Sequence, residues 1–430
     1  MIDKIQQYLK SKTDCYEIYY EDADKLKIYI NKNKIDFATE SRTEGVTVRV
    51  CKDKKLGMAT TTNLSKYKEC IDSALKIAKL NNNDGKFINF QSKLKASNAK
   101  GYNQKLLNQS AEELNIYLKD FISNIKKKDK NILLSDGAYS RYVGNARIIN
   151  SEGVDAEKKS ASNQIVDELI LKDESIWAFD ESKLPLNPKT VDEHADRLLS
   201  MLNSKKTKTE DIQLIFHPEA LQSLMSHAFA YSVSAENVQN NRSFFTGKLN
   251  QQVFDKKITI RDNGTEKDLM GTEPFDDEGT PSQNTGLIAN GMLNNVLHNT
   301  YTASQENAKS TGNCARSPGM IPSISTTNLI MEKGAKSFDK MLSEVKKGIY
   351  VRNLMGVHTM SEVTGEFSLG ATEAHLIENG KIKHALKDTM IAGNFFDLMK
   401  DITLIENKLS HAGSGFYLPH VLSPKIKVIG

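Results

Sequence analysis

The stretch "HPEALQSLMSH", residues 217–227, carries two histidines and a glutamate on a helix-like run. Those are the side chains of a helical metal site, with imidazoles to hold one ion and a carboxylate to polarise its bound water. The spacing does not deliver such a site. On one helix His217 and His227 lie about 15 Å apart along the axis, whereas a zinc ion sits only ~2.0–2.1 Å from each ligating nitrogen. An H-E-x-x-H arrangement starting at His227 needs Glu at 228 and a histidine at 231 or 232, but Ala228, Tyr231 and Ser232 stand there. No two of the nine histidines are closer in sequence than nine residues, so any metal site must be assembled from distant positions. His227 reads as a helix residue bonded to a backbone carbonyl or to water.

Other clusters offer less. "FDDEG" stacks Asp276, Asp277 and Glu278 before Gly279, but successive strand residues point to opposite faces, so a solvated turn is expected. Cys314 lies in the loop "TGNCARSPG", where Arg316 is the only neighbour that would lower its pKa and no histidine is near. There is no P-loop, G-x-G-x-x-G or G-x-S-x-G. Cys15, Cys51, Cys70 and Cys314 form no C-x-x-C pair, a usage that suits a reducing compartment. With 58 basic and 54 acidic side chains the net charge is +4, which leaves no footprint for nucleic acid. Lys126–Lys128 close a predicted helix, where its dipole favours cations. No apolar run approaches the ~20 residues of a membrane span, and "MIDKIQQYLKSKTD" reads as a short amphipathic helix rather than a signal peptide. A cytoplasmic, soluble protein is expected.

The elements that must position these residues fall into two groups. Alternating stretches such as "CYEIYYE", "KLKIYINKNKIDFATE" and "GVTVRVCKDKKLGMATTT" predict antiparallel strands. Helices are predicted over about 64–80 and from the Ser110/Glu113 capping box onward, separated by a long surface connection. More strands continue to about residue 180. The proline-bearing "SKLPLNPKT" marks a boundary, and a helix over about 191–202 opens the second group. Then "DIQLIF" predicts a buried strand, Pro218 suits the first turn of a helix, and short strands with Gly, Asn and Asp turns continue to the end. The expected class is α+β, with an N-terminal antiparallel α+β domain at 1–185. A β-rich, sandwich or barrel-like domain at 186–430 would carry the helix of His227.

Several blocks in fixed order then give a resemblance. "EGVTVRVCKDKKLGMATTTNLS", "FDDEGTPSQNTGLIANGMLNNVLHNTYTA", "STGNCARSPGMIPSISTTNLIME", "GIYVRNLMG", "VTGEFSLGATEAHLIENGKI" and "TMIAGNFFDLM" together resemble the TldD/PmbA family, once described as modulators of DNA gyrase. TldD-like members carry H-E-x-x-x-H on the helix after the first strand of the C-terminal domain, and a cysteine near the C-terminus as a further zinc ligand. Matching that helix to this sequence puts His227 at the first histidine, Ala228 at the glutamate and Ser232 at the second histidine. The final segment "LSHAGSGFYLPHVLSPKIKVIG" has no cysteine. The resemblance is therefore to the PmbA/TldE branch. It implies a non-catalytic subunit with no cofactor of its own, which pairs with a zinc-bearing TldD-like subunit around unfolded or extended peptide. No direct nucleic-acid or membrane partner is implied, and a homodimer stays open for the chain in isolation. Two alternatives stay open: a stand-alone metallopeptidase with a non-standard metal site, and a protein-binding modulator of DNA gyrase.

Overall fold

A computed structural model describes residues 1–316 and 319–430; Ser317 and Pro318 of the "TGNCARSPG" stretch lie outside the described residues. The first half builds one antiparallel sheet in the order β3-β2-β1-β4-β5-β6. Its strands are β1 (Tyr16–Asn31), β2 (Lys34–Lys52), β3 (Lys55–Thr61), β4 (Leu133–Asn150), β5 (Asp155–Leu171) and β6 (Glu174–Ser182). Two-residue turns at Lys32-Asn33 and Asp53-Lys54 join the first three, with positive φ at all four residues. That conformation matches the right-handed twist of the flanking strands. The helices α1 (Ile2–Lys10) and α2 (Tyr67–Leu80) cover the β1–β3 end around Ile18, Val48 and Ile71. Gly57 permits this closeness, because a Cβ there would stand 2.0 Å from the Ala74 carbonyl oxygen of α2. At the other end, α3 (Ala111–Lys128) begins at the Ser110–Glu113 capping box. With α4 (Thr190–Met201) it packs Phe121, Val191 and Leu198 onto Tyr139 and Ile165.

The second half is built on a closed five-stranded barrel. Its strands are β7 (Glu210–Phe216), β8 (Lys347–Met355), β9 (Glu366–Glu378), β10 (Met390–Asn394) and β11 (Val421–Ile429). The order runs β8-β7-β11-β10-β9, and β9 pairs back onto β8. The β7–β8 pair is parallel and the other four are antiparallel. Closure leaves no free edge around the ring. A separate six-stranded sheet, which includes Ile260–Asn263, Leu329–Met331, Phe416–Leu418 and Ser410–Gly413, shares the same large core. The α+β class and the barrel-like second half are thus as the sequence predicts. No helix among the described residues is long and apolar enough to cross a membrane.

Three features depart from the sequence reading. The helix α4, which that reading assigns to the start of the second unit, lays its apolar face on the first sheet. Its Arg197 at the same time reaches Glu373 of the barrel strand β9, so the 185/186 division runs beside a shared layer. The connection between α2 and α3 is not purely superficial: Phe87 and Phe90 are buried, and Gln91 Oε1 accepts from the Thr280 and Thr300 hydroxyls. Finally, the acidic turn Asp276–Glu278 is not solvated. Asp276 accepts from the backbone N–H groups of Glu278, Thr280 and Cys314. Asp277 pairs with Lys158 of β5 at 2.9 Å, and Glu278 lies 3.5 Å from Arg49 of β2. Local sequence shows three carboxylates, whereas the cations that bury them come from the other half of the chain.

Candidate functional site

The strand β7 delivers the chain directly into α5 (Pro218–Leu224), as the "DIQLIFHPEAL" pattern predicts. His217 caps this helix: its Nδ1 accepts the Glu219 N–H at 3.2 Å. Burial first, and then the charge of Arg352 and the neighbouring His420, hold its pKa well below the ordinary imidazole value. His217 is therefore a neutral cap. The helical run continues through a π-turn at Met225–Phe229 and a last α-turn at Ala230–Ser232.

This run has two faces. Ala220, Leu221, Leu224, Met225, Ala228 and Phe229 are buried in the large core, and Ser232 is buried with them. The Ser232 hydroxyl has no hydrogen-bond partner among the described residues. Glu219, Gln222, Ser223, Ser226, His227, Ala230 and Tyr231 form the half-exposed opposite stripe. His227 Nδ1 lies 3.1 Å from the Ser223 carbonyl and 3.2 Å from Ser226 Oγ; a backbone carbonyl is one of the two partners, with water, that the sequence reading offers. Of the three positions matched to a zinc helix, the structure thus keeps His227 on the open stripe and turns Ala228 and Ser232 into the core. A π-turn bonds residue i to i+5 and so brings side chains five apart onto one side. On the open stripe the pairs with that spacing are Gln222 with His227 and Ser226 with Tyr231.

The N-terminal part of the open stripe forms one wall of a cleft of about 390 Å³. Glu219, Gln222 and Ser223 face Ala412–Ser414, Asn353 of β8, and the β5 and β6 residues Val166, Trp177, Phe179 and Glu181. β6 is an edge strand, paired to β5 alone. Trp177, the single tryptophan of the chain, is 51% exposed at this edge. Gly413 makes the opposite wall fit. It has φ +96°, and a Cβ there would meet the Phe179 ring at 2.6 Å. Glu181 clamps the same turn, accepting the Ser414 N–H and lying 3.3 Å from His411 Nε2. The sequence reading missed the β6 wall. Its one signal was a lone tryptophan on an alternating strand, which periodicity alone cannot direct toward a cleft.

Below the cleft lies a charged network. Arg197 of α4 makes a two-pronged contact with Glu373, Nε to Oε2 at 2.8 Å and Nη2 to Oε1 at 2.7 Å. Its Nη2 is also 3.5 Å from Glu219. Arg352 of β8 bonds Glu219 at 2.8 Å and Glu193 at 2.6 Å. Two guanidinium groups therefore hold Glu219 at the first turn of α5, where the helix dipole also favours an anion. This carboxylate is committed to positioning the helix.

These side chains do not fit a zinc ion. The open stripe offers one imidazole, two serines and a tyrosine, its single carboxylate, Glu219, is held by Arg352 and Arg197, and Ala412 to Ser414 opposite supply no thiol. Among the described residues no group of three or more His, Cys, Asp or Glu side chains is placed to hold a metal. The nearest pairing of histidines is spoken for: the rings of His217 and His420 lie 5.0 Å apart, but His420 Nδ1 is 2.6 Å from Glu406 Oε2 and His217 caps α5. Cys314 is fully buried, and burial together with Glu278 and Asp276 pushes its thiol well above the ordinary value. That rules out an activated nucleophile.

A family model described as PmbA/TldA metallopeptidase C-terminal domain matches residues 209–430, and one described as PmbA/TldA metallopeptidase domain 1 matches residues 16–78. The chain belongs to the PmbA/TldD metallopeptidase family. It is 29% identical over 390 residues to an uncharacterized protein of Methanocaldococcus jannaschii, covering 90% of each chain. Its fold is similar to that of TldE from Thermococcus kodakarensis, with a TM-score of 0.92 at 26% identity and 100% of both chains covered. It is similar also to a Thermotoga maritima protein described as a modulator of a DNA gyrase, with a TM-score of 0.90 at 27% identity over 100% of both chains.

Proposed function

We propose that this chain is a non-catalytic, PmbA/TldE-like subunit of a TldD-type zinc metallopeptidase. In this reading it walls a chamber for unfolded or extended peptide, and a TldD-like partner supplies the zinc. One observation carries the reading: the helix at the metal-helix position carries Ser226, His227 and Tyr231 on its half-exposed stripe, a set with neither a second imidazole nor a carboxylate. The likeness to TldE supports the same branch. The β6 edge supports peptide as the occupant, because an extended chain laid along it is held by backbone hydrogen bonds whatever its side chains. Trp177 and Phe179 add apolar surface there.

The test is to purify the tag-free chain in zinc-containing medium, alone and together with a TldD-like chain, and to measure zinc, mass and peptidase activity. The chain alone should hold less than about a tenth of a zinc ion and cleave nothing. The mixture should run as a heterodimer that cleaves an unfolded peptide. Zinc near one ion per isolated chain, surviving dialysis and accompanied by peptidase activity, overturns the proposal.

A further inference from the structure

Four cysteines are present and all are free thiols. Cys70 and Cys314 are buried, whereas Cys15 and Cys51 are each part-exposed. The β1–β2 register runs Tyr16 opposite Val50, Glu17 opposite Arg49, and onward. One step outward sets Cys15 opposite Cys51, and the Cys51 N–H donates to the Cys15 carbonyl at 3.0 Å. Directly opposed residues of this kind have Cα atoms about 5.5 Å apart, inside the range a disulfide spans. The Cys15 Sγ rests 3.9 Å from Asn89 Oδ1 and turns from it to meet Cys51, whose thiol is near enough to raise its pKa.

We propose that Cys15 and Cys51 form a reversible cross-strand disulfide, a redox-sensitive modification site outside the cleft. The oxidant is a small-molecule disulfide, RSSR. One cysteine thiolate attacks a sulfur of RSSR, forming a mixed disulfide and releasing RS⁻. The second thiolate then attacks the protein sulfur of that mixed disulfide and releases the other RS⁻. The two thiol protons end on the two RS⁻, so two protein thiols are oxidised and one RSSR is reduced to two RSH.

Two features make the bond labile rather than a permanent staple. Opposed strand residues keep their Cβ atoms about 4.5–5.5 Å apart, wider than the ~3.8 Å of a relaxed disulfide. A strained, accessible disulfide is the easily reduced kind. Cys15 can still close the gap, because it stands just before β1 in a bend rather than inside the ladder. Burial first, with Cys51 beside it, pushes the Cys15 thiol up to about 12. The exchange should therefore quicken as pH rises.

The experiment exposes the native full-length chain to excess oxidised glutathione at alkaline pH, quenches in acid, denatures, alkylates, and maps peptides by mass spectrometry. The expected result is the loss of two alkylatable thiols, with the Cys15 and Cys51 peptides joined within one chain and Cys70 and Cys314 alkylated. Dithiothreitol should restore all four. In Cys51→Ser the glutathione should remain on Cys15 as a mixed disulfide. Alkylated Cys15 and Cys51, glutathione retained on the unmutated chain, or a link between two chains would each overturn the proposal.

Discussion

Replacing Glu373 by glutamine probes how the first sheet is fastened to the barrel beneath the cleft. Glu373 and Arg197 form a buried two-pronged ion pair, with only 6% of either side chain exposed. Glutamine keeps the shape but turns one acceptor into an N–H donor aimed at a guanidinium N–H. Removing one partner of a buried pair costs about 3–5 kcal/mol. Glu219, 3.5 Å from Arg197, remains as a second anion, which puts the expected loss at the lower end, about 3 kcal/mol. For a unit of this size that is a fall in Tm of roughly 6–12 °C. The assay is thermal and urea unfolding of Glu373→Gln, Arg197→Met and the double variant. The cycle should return a coupling energy above about 1 kcal/mol. A Tm change under about 2 °C for Glu373→Gln, or additive single effects, refutes the idea that this pair fastens the two layers.

Other expectations concern the helix faces, the acidic turn and the cleft wall. Ala228→Glu should cost about 3 kcal/mol or more, because it places a carboxylate in the apolar core. The triple change Ser226→His, His227→Glu and Tyr231→His should instead fold and take up zinc in a titration, since it builds the five-residue spacing on the open stripe; zinc uptake by an Ala228→Glu/Ser232→His variant and not by the triple one reverses the assignment of faces. Burial first, and then Glu278 beside it, raises the Asp276 carboxyl from 3.8 to about 7. The folded state therefore keeps a proton through that window which the unfolded chain has released, so stability falls as pH rises from about 4 to 7 and then levels. Asp276→Asn should flatten that slope in urea midpoints, and an unchanged slope counts against it. Gly413→Ala should lose about 2–4 kcal/mol through a strained φ and a clash with Phe179, read as a lowered urea midpoint.

The sequence by itself determined the elements. The alternation of Val46, Val48 and Val50 reappears as three buried side chains on one face of β2. The Ser110/Glu113 pair caps its helix from both sides, and Pro218 starts α5 where its missing N–H costs nothing. These features depend on neighbours within about one helical turn or two strand positions, so they are written locally. The same locality explains why a backbone carbonyl stood among the partners expected for His227, and the structure supplies that of Ser223. Tertiary structure alone decided which face of that helix meets the cleft. A π-turn shifts the angular register by a fraction of a turn, and Ala228 and Ser232 carry too little chemistry for sequence to say that they point inward. It also decided the fate of the charges. Asp277 and Glu278 look like a solvated turn until Lys158 and Arg49 arrive from more than a hundred residues away. The cost of burying a charge depends on which partner is present, and partners brought together by packing leave no trace in local spacing.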